Sequence, residues 1–197
     1  MMPKPFIGYY NIANGITFLG LLSALASSFF ALGGQLKSAV ICLICAGIFD
    51  LFDGAVARKI KRTEDEKAFG VQLDTVVDVV SFCVTPAIVA YTQAGSSWYA
   101  LVICGFYILC GVIRLAYFNT LADSDVPVKH YQGLPVTYIS LILPIVLLFS
   151  SNTATITAMG MVAVLFIANI RIPKPRGIWY ILFPVIALGL SAVWWRL

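Results

Sequence analysis

Four aspartates stand in two short, otherwise apolar stretches of the chain. Asp50 and Asp53 are three residues apart, and Asp74 and Asp78 are four apart. On a helix, side chains at these separations share one face and lie about 5–6 Å apart. Two such helices facing each other would form a cup of four carboxylates. Oxygen ligands in this number suit Mg²⁺, Mn²⁺ or Ca²⁺, so the spacing predicts a site for divalent metal ions.

Small residues accompany both aspartate pairs. Gly54 and Ala57 fall on or beside the helix face of the first pair, and Gly70 lies near the face of the second. Such residues would let a bulky ligand approach the backbone. Arg58, at the end of the first stretch, could reach a phosphate or could anchor the helix at a membrane interface. The helical pattern alone leaves both roles open.

The composition of the chain indicates a membrane protein. Hydrophobic residues make up 60% of it, charged residues 11%, and the mean hydropathy is +0.93. At about 20 residues per crossing, 197 residues provide six or seven spans and leave no room for a soluble domain. The predicted fold is an all-α polytopic transmembrane helical bundle, with residues 1–197 forming a single membrane-embedded domain. The net charge of +4 is too small and too dispersed to indicate nucleic-acid binding.

Seven apolar segments are the predicted spans. They cover about 14–33, 38–59, 70–92, 97–118, 133–149, 154–170 and 179–195. The first six form the core of the bundle, and the segment at about 179–195 is an additional C-terminal span. Asp50 and Asp53 fall in the second span, and Asp74 and Asp78 fall in the third.

Lysine and arginine are distributed unevenly between alternate loops. One side of the bundle carries Lys4, Lys59, Lys61, Arg62, Lys67, Lys129, Arg171, Lys174 and Arg176, and the other carries only Lys37 and Arg196. The positive-inside rule makes the first side cytoplasmic. Both aspartate pairs then lie about 10 Å inside the cytoplasmic surface by helical rise.

This shared depth bears on the choice between two classes of function. A cation transporter is expected to hold its acids near the bilayer midplane. These carboxylates instead lie where a cytoplasmic solute can meet a lipid headgroup. Metal ions held there could bind a pyrophosphate and stabilise an in-line displacement at phosphorus. The sequence therefore favours a membrane enzyme and keeps a metal-ion transporter as the alternative.

The spacing of both stretches resembles the signature of the CDP-alcohol phosphotransferase family. The residues at the eight specified positions are Asp50, Asp53, Gly54, Ala57, Arg58, Gly70, Asp74 and Asp78. The sequence departs from the family signature in one respect. The gap between the two halves is longer than in the signature, because eleven residues (59–69) separate them here. We expect this longer gap to lengthen the connecting loop and to leave the spacing within each helix unchanged.

Three further stretches are most similar to those family members that transfer a phosphatidyl group from CDP-diacylglycerol to L-serine. These stretches are residues 72–87, 111–119 and 131–135. Together with Asn14 and Thr17, they extend the resemblance over about 11–175 and leave the last span outside it. A related transferase that uses another alcohol, such as glycerol 3-phosphate or inositol phosphate, stays open as an alternative.

The resemblance also implies roles for individual residues. Asp50, Asp53 and Asp74 would bind a pair of Mg²⁺ or Mn²⁺ ions, at a site that Ca²⁺ can also occupy. Asp78 would be both a ligand and the general base of the reaction. The residues implied for binding the cytidine diphosphate are Asn14, Thr17, Asp50, Gly54, Ala57 and Arg58. Membrane lipids are further partners, and the resemblance implies a homodimer.

Arg114 is the candidate residue for recognising serine. It lies in the cytoplasmic third of the predicted fourth span, where an unpaired guanidinium would be costly, so we expect it to face the cavity. A guanidinium fork matches a carboxylate, the group that serine carries. Pairing with a helix-end carbonyl or a lipid phosphate is the alternative for Arg114.

Overall fold

The computed structural model describes residues 7–95, 97–122, 130–149, 151–173 and 179–197, and most of them are helical. The α-helices are α1 (Ile12–Leu32), α2 (Leu36–Ala57), α3 (Glu64–Asp78), α4 (Thr85–Gln93), α5 (Trp98–Ala122), α6 (Ile139–Leu147), α7 (Asn152–Ile167) and α8 (Trp179–Arg196). A π-helical segment (Val79–Val84) joins α3 to α4, and a 3₁₀ turn (Val136–Tyr138) leads into α6. Two short strands are β1 (His130–Gln132) and β2 (Arg171–Pro173).

Helix length and hydropathy confirm an all-α membrane bundle. Among the described residues, four continuous helices are long and apolar enough to cross a bilayer: Ile12–Leu32, Leu36–Ala57, Glu64–Gln93 and Trp98–Thr120. The three remaining predicted spans correspond to shorter apolar helices, Val136–Leu147, Asn152–Ile167 and Tyr180–Arg196. Those three stay predictions as membrane crossings.

Helices α1 and α2 form an antiparallel hairpin with small residues along its seam. Gly34, in the connecting turn, has a φ of +74°, which favours glycine. Along the seam, Ser27 Oγ donates to the Ala39 carbonyl at 2.7 Å, and Ser23 Oγ donates to the Cys42 carbonyl at 2.8 Å. Serine side chains of this kind link apolar helices at close approach. The hairpin places Thr17 opposite Asp53.

Helix α3 begins earlier than the sequence predicted. Thr63 Oγ1 accepts from the Glu66 amide at 3.3 Å, and Glu66 Oε2 accepts from the Thr63 amide at 2.8 Å, which forms a capping box. The expected start near residue 70 was wrong. Residues 64–69 of the signature gap belong to α3, so the loop within the gap is confined to residues 59–63.

The third span changes its helical geometry directly after Asp78. The π-helical segment occupies Val79–Val84, and Pro86 follows in the first turn of α4. Proline lacks an amide hydrogen, so the carbonyl of Phe82 loses its usual partner four residues on. The buried Tyr107 hydroxyl of α5 donates to that carbonyl at 2.6 Å. This bond from a neighbouring helix gives the Phe82 carbonyl a hydrogen-bond donor where the helical pattern is interrupted.

A small β-ribbon, which the sequence analysis did not predict, joins two inter-helix segments. Tyr131 pairs with Ile172 in its antiparallel register. Gly133 follows with a φ of +72°, and a Cβ at this position would overlap the carbonyl of Phe166. Helix α7 ends at Ile167, shortly before β2. The predicted cytoplasmic cations Lys4, Lys129, Lys174 and Arg176 lie outside the described residues.

Helix α8 packs beside α2 and α6. Trp194 Nε1 donates to the Pro144 carbonyl of α6 at 3.2 Å, and Lys37 Nζ donates to the Trp195 carbonyl at 3.1 Å. Gly47 allows α6 to approach α2, since a Cβ there would overlap the Ser140 hydroxyl. The end of α8 therefore lies beside the start of α2, and the two helices run antiparallel. This arrangement brings the N-terminal half of α8 beside the end of α2 that carries the aspartates.

Candidate active site

Three carboxylates form a compact cluster between α2 and α3. One carboxylate oxygen from each of Asp50, Asp74 and Asp78 lies within 4.8 Å of the others. Asp78 Oδ1 is buried and has no hydrogen-bond partner in the described part of the chain. Three crowded carboxylates repel one another unless a cation or a proton intervenes. The oxygen donor set and the unpartnered buried oxygen therefore fit a hard divalent cation.

Asp53 lies beside this cluster but is not one of its three mutually close members. It is 6% exposed, and its Oδ2 accepts from the Thr17 hydroxyl at 2.6 Å. All four aspartates nevertheless line one small pocket, together with Thr17. The structure thus brings the four predicted carboxylates around a common space and distinguishes Asp53 by its hydrogen-bonded partner.

Thr137 is a site residue that the sequence analysis missed. Its hydroxyl donates to Asp50 Oδ2 at 3.0 Å from the 3₁₀ turn before α6. The last of the three stretches that carry the resemblance ends two residues earlier, at Pro135, and a threonine at the start of an apolar span gives no other signal. The contact depends on the chain returning to α2 after a long separation, so local spacing could not predict it.

A second pocket collects most of the residues predicted to bind the nucleotide. Its lining includes Asn14, Thr17, Gly54 and Ala57, and the aspartates Asp53 and Asp74 border it. Asn14 Nδ2 donates to the Tyr9 carbonyl at 2.8 Å, which orients its side chain near the start of α1. The structure therefore gathers the small residues of the signature and the polar residues of α1 at one opening beside the carboxylates.

Arg62 also lines this nucleotide pocket, although the sequence analysis counted it only as a loop cation. Its side chain is half-buried, and its buried Nε has no hydrogen-bond partner among the described residues. Its Nη1 lies 3.1 Å from the position that a Cβ on Gly70 would occupy. The absence of a side chain at Gly70 thus gives the guanidinium room to enter the pocket.

Arg58 does not line the pocket that holds the other predicted nucleotide residues Asn14, Thr17 and Gly54. Its Nη2 donates to the Tyr180 hydroxyl at 3.2 Å, and its guanidinium carbon is 5.6 Å from the centroid of that ring. It borders a larger pocket between α2, α6 and α8, which Asp50 and Gly54 also line. The sequence analysis expected Arg58 to lie with Asn14 and Thr17, but the structure places it in a different pocket.

Arg114 is 8% exposed, and its guanidinium lies 5.2 Å from the centroid of the Phe118 ring. It is close enough to Asp50 for a favourable electrostatic interaction. It also lines a pocket in which Gln132 and Asn169 are polar neighbours and the rest of the wall is mainly apolar. Arg114 therefore lies between the carboxylate cluster and a separate opening lined by amide side chains.

The sequence profile of CDP-alcohol phosphatidyltransferases matches residues 10–189. This match extends beyond residue 175 and includes the first part of α8, which the sequence analysis placed outside the resemblance.

Three relatives illustrate the similarity to known proteins. Archaetidylserine synthase of Methanothermobacter thermautotrophicus is 32% identical over 180 residues, covering 90% of this chain and 76% of the relative. CDP-diacylglycerol–serine O-phosphatidyltransferase of Methanocaldococcus jannaschii is 36% identical over 179 residues, covering 90% of this chain and 78% of the relative. The protein of that name from Mycobacterium tuberculosis is 35% identical over 129 residues, covering 63% of this chain but 44% of the relative. From the extent of the profile match, the chain belongs to the CDP-alcohol phosphatidyltransferase family.

Proposed function

We propose that this protein transfers the phosphatidyl group of CDP-diacylglycerol to the hydroxyl of L-serine, producing phosphatidylserine and CMP. The observation that carries the reaction class is the cluster of Asp50, Asp74 and Asp78 within 4.8 Å, beside the pocket lined by Gly54 and Ala57. The choice of serine is supported by the names of the relatives from Methanothermobacter and Methanocaldococcus.

The three clustered aspartates would hold the metal site, with Asp53 as a further ligand oriented by Thr17. The proposed cofactor is a pair of Mg²⁺ or Mn²⁺ ions. When bound, such ions neutralise the negative charge of the pyrophosphate and of the departing CMP. On the protein side, Thr137 fixes the orientation of Asp50 by donating to one of its oxygens, so the other oxygen can face the cluster.

Asp78 is the proposed general base. Its buried Oδ1 has no donor among the described residues, which leaves that oxygen available to accept a proton. In the proposed step, Asp78 takes the hydroxyl proton of serine while the serine oxygen bonds to the phosphorus that bears diacylglycerol. The bond from that phosphorus to the oxygen shared with the CMP phosphate breaks, and CMP leaves with the electron pair. A neutral hydroxyl needs such a base because it is a weak nucleophile.

Arg114 is the proposed residue for the serine carboxylate. It is buried, interacts electrostatically with Asp50 and reaches the pocket lined by Gln132 and Asn169. A guanidinium and two amides suit a small zwitterion, whose carboxylate accepts and whose ammonium donates hydrogen bonds. A phosphate-bearing alcohol would call for more converging cations than this pocket offers within the described residues.

We further propose that the active site faces the cytoplasm and that the protein forms a homodimer. The orientation is supported by the excess of lysine and arginine on the side where α2 ends and α3 begins. The homodimer follows from family resemblance.

The activity can be tested with purified protein, labelled CDP-diacylglycerol and a panel of alcohols. We expect labelled phosphatidylserine and stoichiometric CMP with serine, no product with excess chelator, and recovery with Mn²⁺ or Mg²⁺. Arg114→Lys should raise the KM for serine about tenfold, because lysine keeps the charge and loses the bidentate fork. Faster turnover with glycerol 3-phosphate or inositol phosphate would indicate a related transferase. Absence of CMP release with every alcohol, together with metal uptake into vesicles, would indicate a transporter.

A further inference from the structure

Ser81 is a buried hydroxyl without a hydrogen bond in the described part of the chain. Its side chain is 1% exposed, and its Oγ has no partner there. The other buried serines and threonines among the described residues each make at least one hydrogen bond, and they are Thr17, Ser27, Ser28, Thr85, Ser140 and Thr155. Buried polar groups are nearly always paired, so the Ser81 hydroxyl calls for a bound partner.

The local helix geometry separates Ser81 from the usual backbone partner. A serine or threonine within a helix often donates to the carbonyl four residues earlier, as Thr75 does to Val71 at 2.9 Å and Ser28 does to Ala24 at 3.3 Å. Ser81 lies instead in the π-helical segment and makes no such bond. Segments of this kind are rare and occur frequently at functional sites. The Ser81 hydroxyl is therefore available to a ligand.

Ser81 lines the small pocket that the four aspartates share, three residues after Asp78. Asp78 Oδ1 is likewise buried without a hydrogen-bond partner among the described residues. Two residues of one pocket thus have buried oxygen atoms that lack a partner, one of them charged and the other neutral. A single species bound between them would satisfy both oxygens.

The size and charge of this pocket indicate what the shared species is. Its volume is about 10 Å³, which suits one ion or one water molecule and is too small for any group of a nucleotide or an alcohol substrate. The oxygens of Asp50, Asp74 and Asp78 lie within 4.8 Å of one another, and their combined negative charge favours a cation over water. A hydroxyl oxygen is a hard donor of the kind that Mg²⁺ and Mn²⁺ accept.

We propose that Ser81 is an uncharged ligand of the divalent-cation site, which binds the ion through its Oγ alongside Asp78. This assignment rests on the proposed function for the presence of a metal ion, and it adds a residue that is not among the eight signature positions. A neutral oxygen increases the number of ligands without adding to the mutual repulsion of the carboxylates. The π-helical segment would then serve the site by presenting this oxygen.

Binding of Mn²⁺ to the full chain in detergent tests this ligand without lipid or alcohol. Ser81→Ala should raise the Kd for Mn²⁺, measured by electron paramagnetic resonance, about tenfold. The matched control is Ser27→Ala, which removes a buried hydroxyl that donates to the Ala39 carbonyl and does not line the pocket. Its Kd should equal that of the parent. Thermal unfolding of each variant verifies that it is folded.

Ser81→Cys tests the contact with the ion in a second way. Sulfur is a softer ligand than oxygen and prefers Cd²⁺ to Mn²⁺, so the ratio of the Kd for Mn²⁺ to the Kd for Cd²⁺ should rise about tenfold or more. Competition between the two ions measures this ratio. Ser27→Cys should keep the ratio of the parent, which already contains the native Cys83 and so provides the background. A purely structural role for Ser81 would not change the preference between metals.

An unchanged Kd for Mn²⁺ in folded Ser81→Ala, or an unchanged metal preference in Ser81→Cys, would overturn the assignment and indicate a water molecule beside Ser81. Both measurements are independent of the transfer reaction. A parent whose Mn²⁺ binding depends on Ser81 but which releases no CMP with any alcohol would refute the proposed function and leave the ligand assignment standing. Serine transfer by a chain whose metal binding ignores Ser81 would refute only the ligand.

Discussion

At the scale of single residues, the four aspartates differ in the donors that surround them. Asp53 accepts from Thr17 and Asp50 accepts from Thr137, whereas Asp78 Oδ1 is buried without a partner among the described residues. A carboxylate held by a donor has a fixed orientation, which suits a metal ligand. An oxygen without a donor can accept a proton during the reaction.

This difference predicts distinct effects for two conservative substitutions. Asp78→Asn should lower kcat about 100-fold or more, as expected for loss of a general base, and should weaken CDP binding far less, because Asp50 and Asp74 remain to hold the metal site. Asp53→Asn should weaken both turnover and nucleotide binding, because a metal ligand serves both. Steady-state kinetics and equilibrium binding of CDP measure the two effects. Near-normal turnover in Asp78→Asn would refute its assignment as the base.

Arg62 gives a second prediction at this scale. Arg62→Ala should weaken the binding of CDP about tenfold or more, since a guanidinium contact to a phosphate is a charge-assisted hydrogen bond. Lys61→Ala is the control, because Lys61 is an exposed cation in the same loop and does not line the pocket. Isothermal titration with CDP measures both. Equal, small losses in the two variants would indicate only a general electrostatic effect.

The sequence predicted some residues of the site better than others, for a physical reason. Asp50, Asp74 and Asp78 were identifiable because helical spacing and apolar surroundings are local properties. Thr137, Arg62 and Tyr180 were not, because each reaches the site through a turn, a loop or a helix that is distant in the sequence. Their contacts depend on tertiary packing, which the pattern of residue types does not encode locally.

At the scale of elements, hydropathy located the four long helices but not their internal geometry or all their ends. Helix α3 begins at a capping box formed by polar residues, which a search for apolar segments passes over. The π-helical segment depends on Pro86 together with a donor from α5. The β-ribbon requires two distant segments to meet. These features arise from specific hydrogen bonds rather than from mean hydropathy.

The bond from Tyr107 to the π-helical segment predicts a loss of stability. Tyr107→Phe should destabilise the fold by about 1–3 kcal/mol, because the buried carbonyl of Phe82 loses its donor. The measurement is the thermal unfolding temperature in detergent. Tyr99→Phe is the matched control, since Tyr99 is on the same helix and is 46% exposed. Equal unfolding temperatures for the two variants would mean that another group satisfies the carbonyl.

At the scale of the whole molecule, the first three helices establish which residues share a side of the bilayer. Helix α2 has 22 residues, which is about 33 Å by helical rise and spans the hydrocarbon core. The turn between α1 and α2 therefore lies on one side, and the segment between α2 and α3 lies on the other. The carboxylates belong to the second side, because they lie near the end of α2.

The proposed orientation predicts a labelling pattern with a membrane-impermeant maleimide. Glu64→Cys, at the exposed start of α3, should react only after intact cells are permeabilised, whereas Lys37→Cys, near the α1–α2 turn, should react from outside. The five native cysteines are free, and all lie within helices, so the unsubstituted protein provides the background. The reverse pattern would place the carboxylate cluster on the outer side. That result would be incompatible with a cytoplasmic supply of CDP-linked donor, since the nucleotide pocket and the start of α3 share one side of the bundle.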